Sequence, residues 1–171
     1  MRKTKRNNIY DLTLLSLLTA AALIFSYVEA VLPPIFSALP GIKLGFPNIL
    51  IIYILYRMGT VRAAAVSLIR IVLAGMLFGT FVSFLYSFVG AAFSLTVMAI
   101  MKKTELFSTV SVSIAGGVLH NFGQILVAML LFQTAELGYY MAVLAVAGMI
   151  SGIFIGICAA LLIKRLKSVF Q

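Results

Sequence analysis

The sequence predicts an all-α integral membrane protein: a single domain over residues 1–171 with six transmembrane helices and both termini in the cytoplasm. Three observations predict it. Apolar residues make up 63% of the chain and charged residues 10%, whereas a soluble domain carries about 45–50% and about 25%. That leaves too little polar surface to wrap a water-soluble core. The apolar residues also fall in long runs, and a bilayer-spanning helix needs roughly 17–25 of them. Finally, the basic residues cluster at alternate ends of those runs, as the positive-inside rule demands.

Residues 12–32 form the first span, closed by Pro33-Pro34. Residues 46–58 form a shorter second span, entered through an irregular segment at Gly45 and Pro47. The third covers 61–78 and is interrupted by Arg70; the fourth covers 82–101, the fifth 110–131 and the sixth 139–163. Gly79-Thr80 and Glu136–Gly138 supply short connections. The third and fourth spans are the hardest to divide, because almost nothing polar lies between them. A cytoplasmic N-terminus puts Arg2, Lys3, Lys5, Arg6, Arg57, Arg62, Lys102, Lys103, Lys164, Arg165 and Lys167 on the inner side, eleven of the 13 basic residues. Lys43 then lies outside and Arg70 within the membrane. Removing one helix would carry a basic cluster to the wrong side. The basic N-terminus and first run read as a retained helix rather than a cleaved leader. The net charge of +9 reads as topology and contact with anionic lipid, with no nucleic-acid partner expected.

Composition also limits the chemistry. The four acidic residues are Asp11, Glu29, Glu105 and Glu136, too few for a carboxylate cluster around divalent metal. Cys158 is the one cysteine, so no internal disulfide forms and a buried structural thiol is expected. No Gly-rich phosphate loop with Lys-Ser/Thr occurs, so the chain is not expected to hydrolyse ATP itself. No metal, cofactor or catalytic residue is expected.

Small residues mark where helices can approach closely in lipid. Gly148, Gly152 and Gly156 make one stripe, Ser83, Ser87, Gly90 and Ser94 a second, and Ser113, Gly116 and Gly117 a third. The first span carries Ser16 and Ala20 on one face and Ala22, Ser26 and Ala30 on a neighbouring one. Packing within the chain is the main expectation for each stripe; docking of a separate membrane subunit is the alternative.

Polar residues inside the spans are the functional candidates. Arg70 is eight residues past Arg62, about 12 Å inside the inner boundary at a rise of about 1.5 Å per residue. It should face the bundle interior, either as a structural cation satisfied by carbonyls or a side chain, or as a ligand contact. His120, Asn121 and Gln124 occupy adjoining stripes of one helix face, flanked by Gly116, Gly117 and Gly123. Interhelical hydrogen bonding and a ligand site both remain open for this trio. A lone His without a second His, paired Cys or nearby carboxylate does not support a metal site. Glu29 lies near the outer surface with Lys43 and Asn48. It is either a surface charge paired with Lys43, or part of an outward-facing pocket with Asn48.

The segments Lys43-Leu44-Gly45-Phe46-Pro47-Asn48-Ile49, Ser67-Leu68-Ile69-Arg70 and His120-Asn121-Phe122-Gly123-Gln124 resemble the bacterial Gx transporter family, often labelled heptaprenyl diphosphate synthase component I. That family belongs with the S-components of energy-coupling-factor transporters. The likeness covers nearly the whole chain, with Pro47 standing where a small residue such as Ala is expected. The resemblance implies a six-helix S-component-like bundle in the bacterial cell membrane, with a small-molecule pocket toward the outside. Its implied partners are energy-coupling-factor transmembrane and ATPase subunits, or further copies of the chain. The Ala-x-x-x-Ala docking pattern of such proteins is approximated by Ser16/Ala20 or Ala22/Ser26/Ala30. The family label implies prenyl diphosphate synthesis, which in soluble synthases depends on aspartate-rich motifs holding magnesium. One aspartate at the membrane edge does not supply them. The expectation is therefore a substrate-binding or translocating membrane subunit for a small anionic or amphipathic metabolite, with Arg70, His120, Asn121, Gln124, Asn48, Glu29 and Lys43 as substrate contacts. The alternatives are a non-catalytic membrane accessory subunit of heptaprenyl diphosphate synthase or of isoprenoid or quinone metabolism, and a structural subunit of a membrane redox complex.

Overall fold

A computed structural model describes the backbone of residues 2–32 and 45–167, and the side chains of residues 9–32 and 45–166. Lys43 and the Pro33-Pro34 stop lie outside the described residues. Six α-helices follow in order: α1 (Arg2–Val31), α2 (Phe46–Met58), α3 (Thr60–Leu77), α4 (Phe81–Thr104), α5 (Thr109–Phe132) and α6 (Met141–Lys167), the last preceded by a 3₁₀ turn over Ala135–Tyr140. Five segments, Ile9–Val31, Thr60–Leu77, Phe81–Thr104, Thr109–Phe132 and Ala135–Leu166, are long and apolar enough to cross a membrane. Where six spans are expected from the sequence, α2 is a shorter apolar helix of 13 residues. At about 1.5 Å per residue it reaches about 20 Å, less than the hydrocarbon thickness of about 30 Å.

Local chemistry sets the helix ends. Gly59 alone separates α2 from α3, with φ 98° and ψ 168°, a conformation open in practice only to glycine. The division of α3 from α4, hard to see in the sequence, is made by Thr80. Its hydroxyl accepts the Ser83 N–H at 3.1 Å and caps α4. Ser108 does the same for α5, accepting from Ser111 N–H at 3.1 Å. Helix α1 begins before its apolar run, carrying helical backbone back through the basic segment to Arg2.

Helix α2 is the centre of the bundle. Ile51, Ile52, Tyr53, Ile54 and Leu55 are all buried. They are enclosed by Leu18 and Ala22 of α1, Ala63 and Val66 of α3, Met98 and Ala99 of α4, Val112 of α5, and Ile155 and Ala159 of α6. At its C-terminus the ammonium of Lys102 donates to the Leu55 carbonyl at 2.5 Å and lies 5.6 Å from the centroid of the Tyr56 ring. A cation at that end complements the negative pole of the helix dipole. Arg62 of α3 and Asp11 of α1 pair at 2.9 Å on the same end of the molecule.

Helices α4, α5 and α6 pack backbone to backbone. A methyl group at Gly117 would lie 2.4 Å from the Gly148 carbonyl oxygen, and one at Gly152 would lie 2.7 Å from the Ile114 Cα. On the other side of α5, a methyl at Gly90 would lie 2.9 Å from the His120 carbonyl oxygen, and one at Gly123 2.9 Å from the Gly90 Cα. The Gly148/Gly152/Gly156 stripe therefore serves packing within the chain, against α5. The two small faces of α1 separate clearly. Ala22 and Ser26 are buried toward the bundle and Ala30, at the end of the same face, is exposed, while Ser16 and Ala20 are exposed on the outer surface.

Candidate functional site

The apolar cluster around α2 fills one half of the bundle; a polar cleft occupies the other. It is bounded by the C-terminal ends of α1 and α3, the N-terminal ends of α2 and α4, and the middles of α5 and α6. Its volume is about 90 Å³, several times the roughly 10–15 Å³ needed by one water molecule.

Arg70 is brought inward because it lies on the face of α3 that also buries Ala63, Val66 and Ser67. Only 9% of it is exposed. Its Nη1 donates to the Ser26 hydroxyl of α1 at 3.2 Å; that hydroxyl in turn donates to the Ala22 carbonyl at 2.9 Å. Ser26 therefore meets the cation with its lone pairs. The Arg70 Nε is buried and has no hydrogen-bond partner among the described residues. A buried donor left unsatisfied costs about 1–3 kcal/mol, and more when charged.

One turn beyond Ser26, Glu29 lies within electrostatic reach of Arg70 and accepts the Gly45 N–H. Gly45 takes the left-handed conformation at φ 78° immediately before α2, so this contact sets a carboxylate at the positive end of that helix. Asn48, three residues into α2, also lines the cleft.

The α5 trio divides its tasks. The Gln124 amide nitrogen lies 3.2 Å from His120 Nε2, the one-turn pairing that a spacing of four permits. When that amide donates, the neutral imidazole carries its proton on Nδ1. Asn121 turns the other way, its amide nitrogen donating to the Leu144 carbonyl of α6 at 2.7 Å. All three still contribute to the cleft wall.

Arg70, His120, Asn121, Gln124, Asn48 and Glu29 thus border one cavity, and Lys43 lies outside the described residues. The sequence had singled out these residues but not their surroundings. Ser83 and Ser87 of α4 and Ser151 of α6 add hydroxyls, while Phe78 and Phe84 add an aromatic wall. The Phe84 ring belongs to a stacked series along α4, 6.4 Å from Phe81 and 5.9 Å from Phe88 between centroids. Ser83 and Ser87 were visible as a small-residue face. That they border a cavity depends on the rotation of α4 about its axis, which spacing alone does not fix.

The family model described as heptaprenyl diphosphate synthase component I matches residues 18–162. No curated protein and no solved structure matches the chain.

Proposed function

The chain belongs to the heptaprenyl diphosphate synthase component I family, and from that premise we propose that it is a substrate-binding or translocating membrane subunit, comparable to an energy-coupling-factor S-component, rather than a synthase. The observation that carries this is the buried Arg70, whose Nε has no partner among the described residues, in a cleft it shares with Glu29, Asn48, His120, Asn121 and Gln124. A membrane protein tolerates an intramembrane cation where the bundle interior or a ligand compensates it. The substrate is a small metabolite with an anionic or amphipathic character. Lys43, in the connection leading into α2, is a further substrate contact in this proposal.

Orientation follows from charge. Arg57, Arg62, Lys102, Lys103, Lys164 and Arg165 all sit at the end of the bundle opposite the cleft. By the positive-inside rule that end is cytoplasmic, and the cleft faces outward in a bacterial cell membrane. Energised transport would draw on separate ATPase and transmembrane subunits, docked on the exposed Ser16/Ala20 face of α1; action as a homo-oligomer is the alternative.

The test is mass spectrometry of small molecules carried through purification by the parent chain and by Arg70→Ala. The parent is expected to retain a molecule that the variant, still monodisperse, lacks. Equal retention by both removes Arg70 from the site. The second reading, suggested by the family's description, is a non-catalytic accessory subunit of heptaprenyl diphosphate synthase. Prenyl transfer by the purified chain with magnesium would instead make it an enzyme, against the expectation from its single aspartate.

A further inference from the structure

We propose that the cleft takes a single-chain amphiphile, its polar head at Arg70 and its apolar chain leaving sideways between α3 and α4 into the bilayer. The inference rests on the reading of the cleft as a ligand site, and it names the class of ligand and its route.

The seams between neighbouring helices around the cleft are closed in different ways. Backbone meets backbone between α4 and α5 at Gly90 and Gly123, and between α5 and α6 at Gly117 and Gly148. Helix α1 is joined to α3 by the Ser26–Arg70 hydrogen bond and by the Tyr27 and Phe78 rings, edge to face at 5.6 Å. At the start of α2, Gly45 donates to Glu29 of α1, and a methyl on Gly45 would lie 3.0 Å from Ile155 Cδ1 of α6.

The seam between α3 and α4 differs, because at the level of the cleft one phenylalanine ring meets a glycine. A methyl at Gly75 would lie 3.3 Å from Phe84 Cβ and Cδ2 and 3.7 Å from Cγ. A ring can turn aside between staggered rotamers; a backbone contact cannot. The Phe84 ring also borders two media. It lines the cleft, and it stacks between Phe81 and Phe88, which are 75% and 43% exposed on the outside of the bundle. The aromatic wall of the cleft is therefore continuous with the lipid-facing surface of α4.

Size and polarity then select the ligand. The cleft of about 90 Å³ is smaller than the roughly 150 Å³ cavity that holds benzene in a dry core. A polar head and its first carbons fill it, against Arg70 and the α5 side chains. A longer apolar chain has to leave, and the Phe81/Phe84/Phe88 row is an apolar way out. One ring turned aside makes room for one alkyl chain.

Photolabelling of the full chain in nanodiscs tests this, using hexadecanoate, hexadecyl phosphate, hexadecanol and a two-chain phosphatidylglycerol, each with a diazirine in its chain. At least one single-chain probe should label the chain around Gly75 and Phe84. An excess of the same molecule without the diazirine should lower that labelling by about tenfold, while labelling of Ile150 and Phe154, exposed on α6, holds. In Arg70→Ala the seam label should fall by about tenfold or more, as the loss of a charge-assisted hydrogen bond entails, and the α6 label should hold. The competition uses the parent chain alone and does not depend on that variant folding. Seam labelling that resists competition as the α6 labelling does overturns the inference, as does seam labelling undiminished in folded Arg70→Ala. Stronger saturable labelling by phosphatidylglycerol also overturns it, making the seam a site for bilayer lipid. Arg70-dependent retention through purification of a molecule without an apolar chain overturns the inference and leaves the cleft as a ligand site. Absence of both a retained molecule and a saturable seam label overturns the two together.

Discussion

Asn121 and Arg70 show how differently two polar residues in apolar helices can be employed. The Asn121 amide crosses from α5 to the Leu144 carbonyl of α6, so Asn121→Ala removes an interhelical hydrogen bond as well as a polar group from the cleft. Such bonds in membrane proteins are worth about 0.6 kcal/mol on average and up to about 1.7. A loss of that order is expected in reversible unfolding from detergent, and losses near zero would mean the bond is replaced by water. That His120 and Gln124 share a helix face was legible in the sequence because it is local, one helical turn long; that they bond each other within α5 was not. The partner of Asn121 was not, since it is a backbone atom 23 residues away. The inward aim of Arg70 was legible from its depth in an apolar run. Its contact with Ser26, 44 residues back, required knowing how α1 and α3 are rotated against each other.

Among the elements, α5 is held on both sides by glycine contacts, and its substitutions should be correspondingly severe. Gly117→Val places a branched side chain where even a methyl would sit 2.4 Å from the Gly148 carbonyl oxygen. Overpacking of this kind costs about 1–3 kcal/mol, and a lowered thermal midpoint in detergent should report it. Gly138→Ala is the control: the nearest atom to its new methyl is 3.9 Å away, and stability should hold within about 0.5 kcal/mol. Four-residue spacing of Gly148, Gly152 and Gly156 announced a close helix contact but not its partner, because spacing describes one surface and packing needs two. For α2, Gly45 and Pro47 made the start readable. Its place at the centre was hidden, since an apolar run reads alike whether protein or lipid surrounds it.

For the whole molecule, the division into a basic, hydrophobically packed end and a polar, cleft-bearing end makes orientation testable. In a Cys158→Ala background, Gly138→Cys sits at the cleft end and Glu105→Cys at the basic end. A membrane-impermeant thiol reagent added to intact cells should label position 138 and spare position 105; the reverse pattern would turn the cleft toward the cytoplasm. The glycine contacts described above also give the cleft two unlike walls. Where α4, α5 and α6 meet backbone to backbone, there are no intervening side-chain rotamers to absorb a change in spacing, and parting the helices opens a void along the seam. Helices α1 and α3 meet their neighbours through side chains, including the single hydrogen bond between Ser26 and Arg70. The cleft therefore has a stiff wall and a compliant one. If the cleft admits a guest, as proposed, the wall that is free of such seams is the one formed by α1 and α3, and it is the one that carries Arg70.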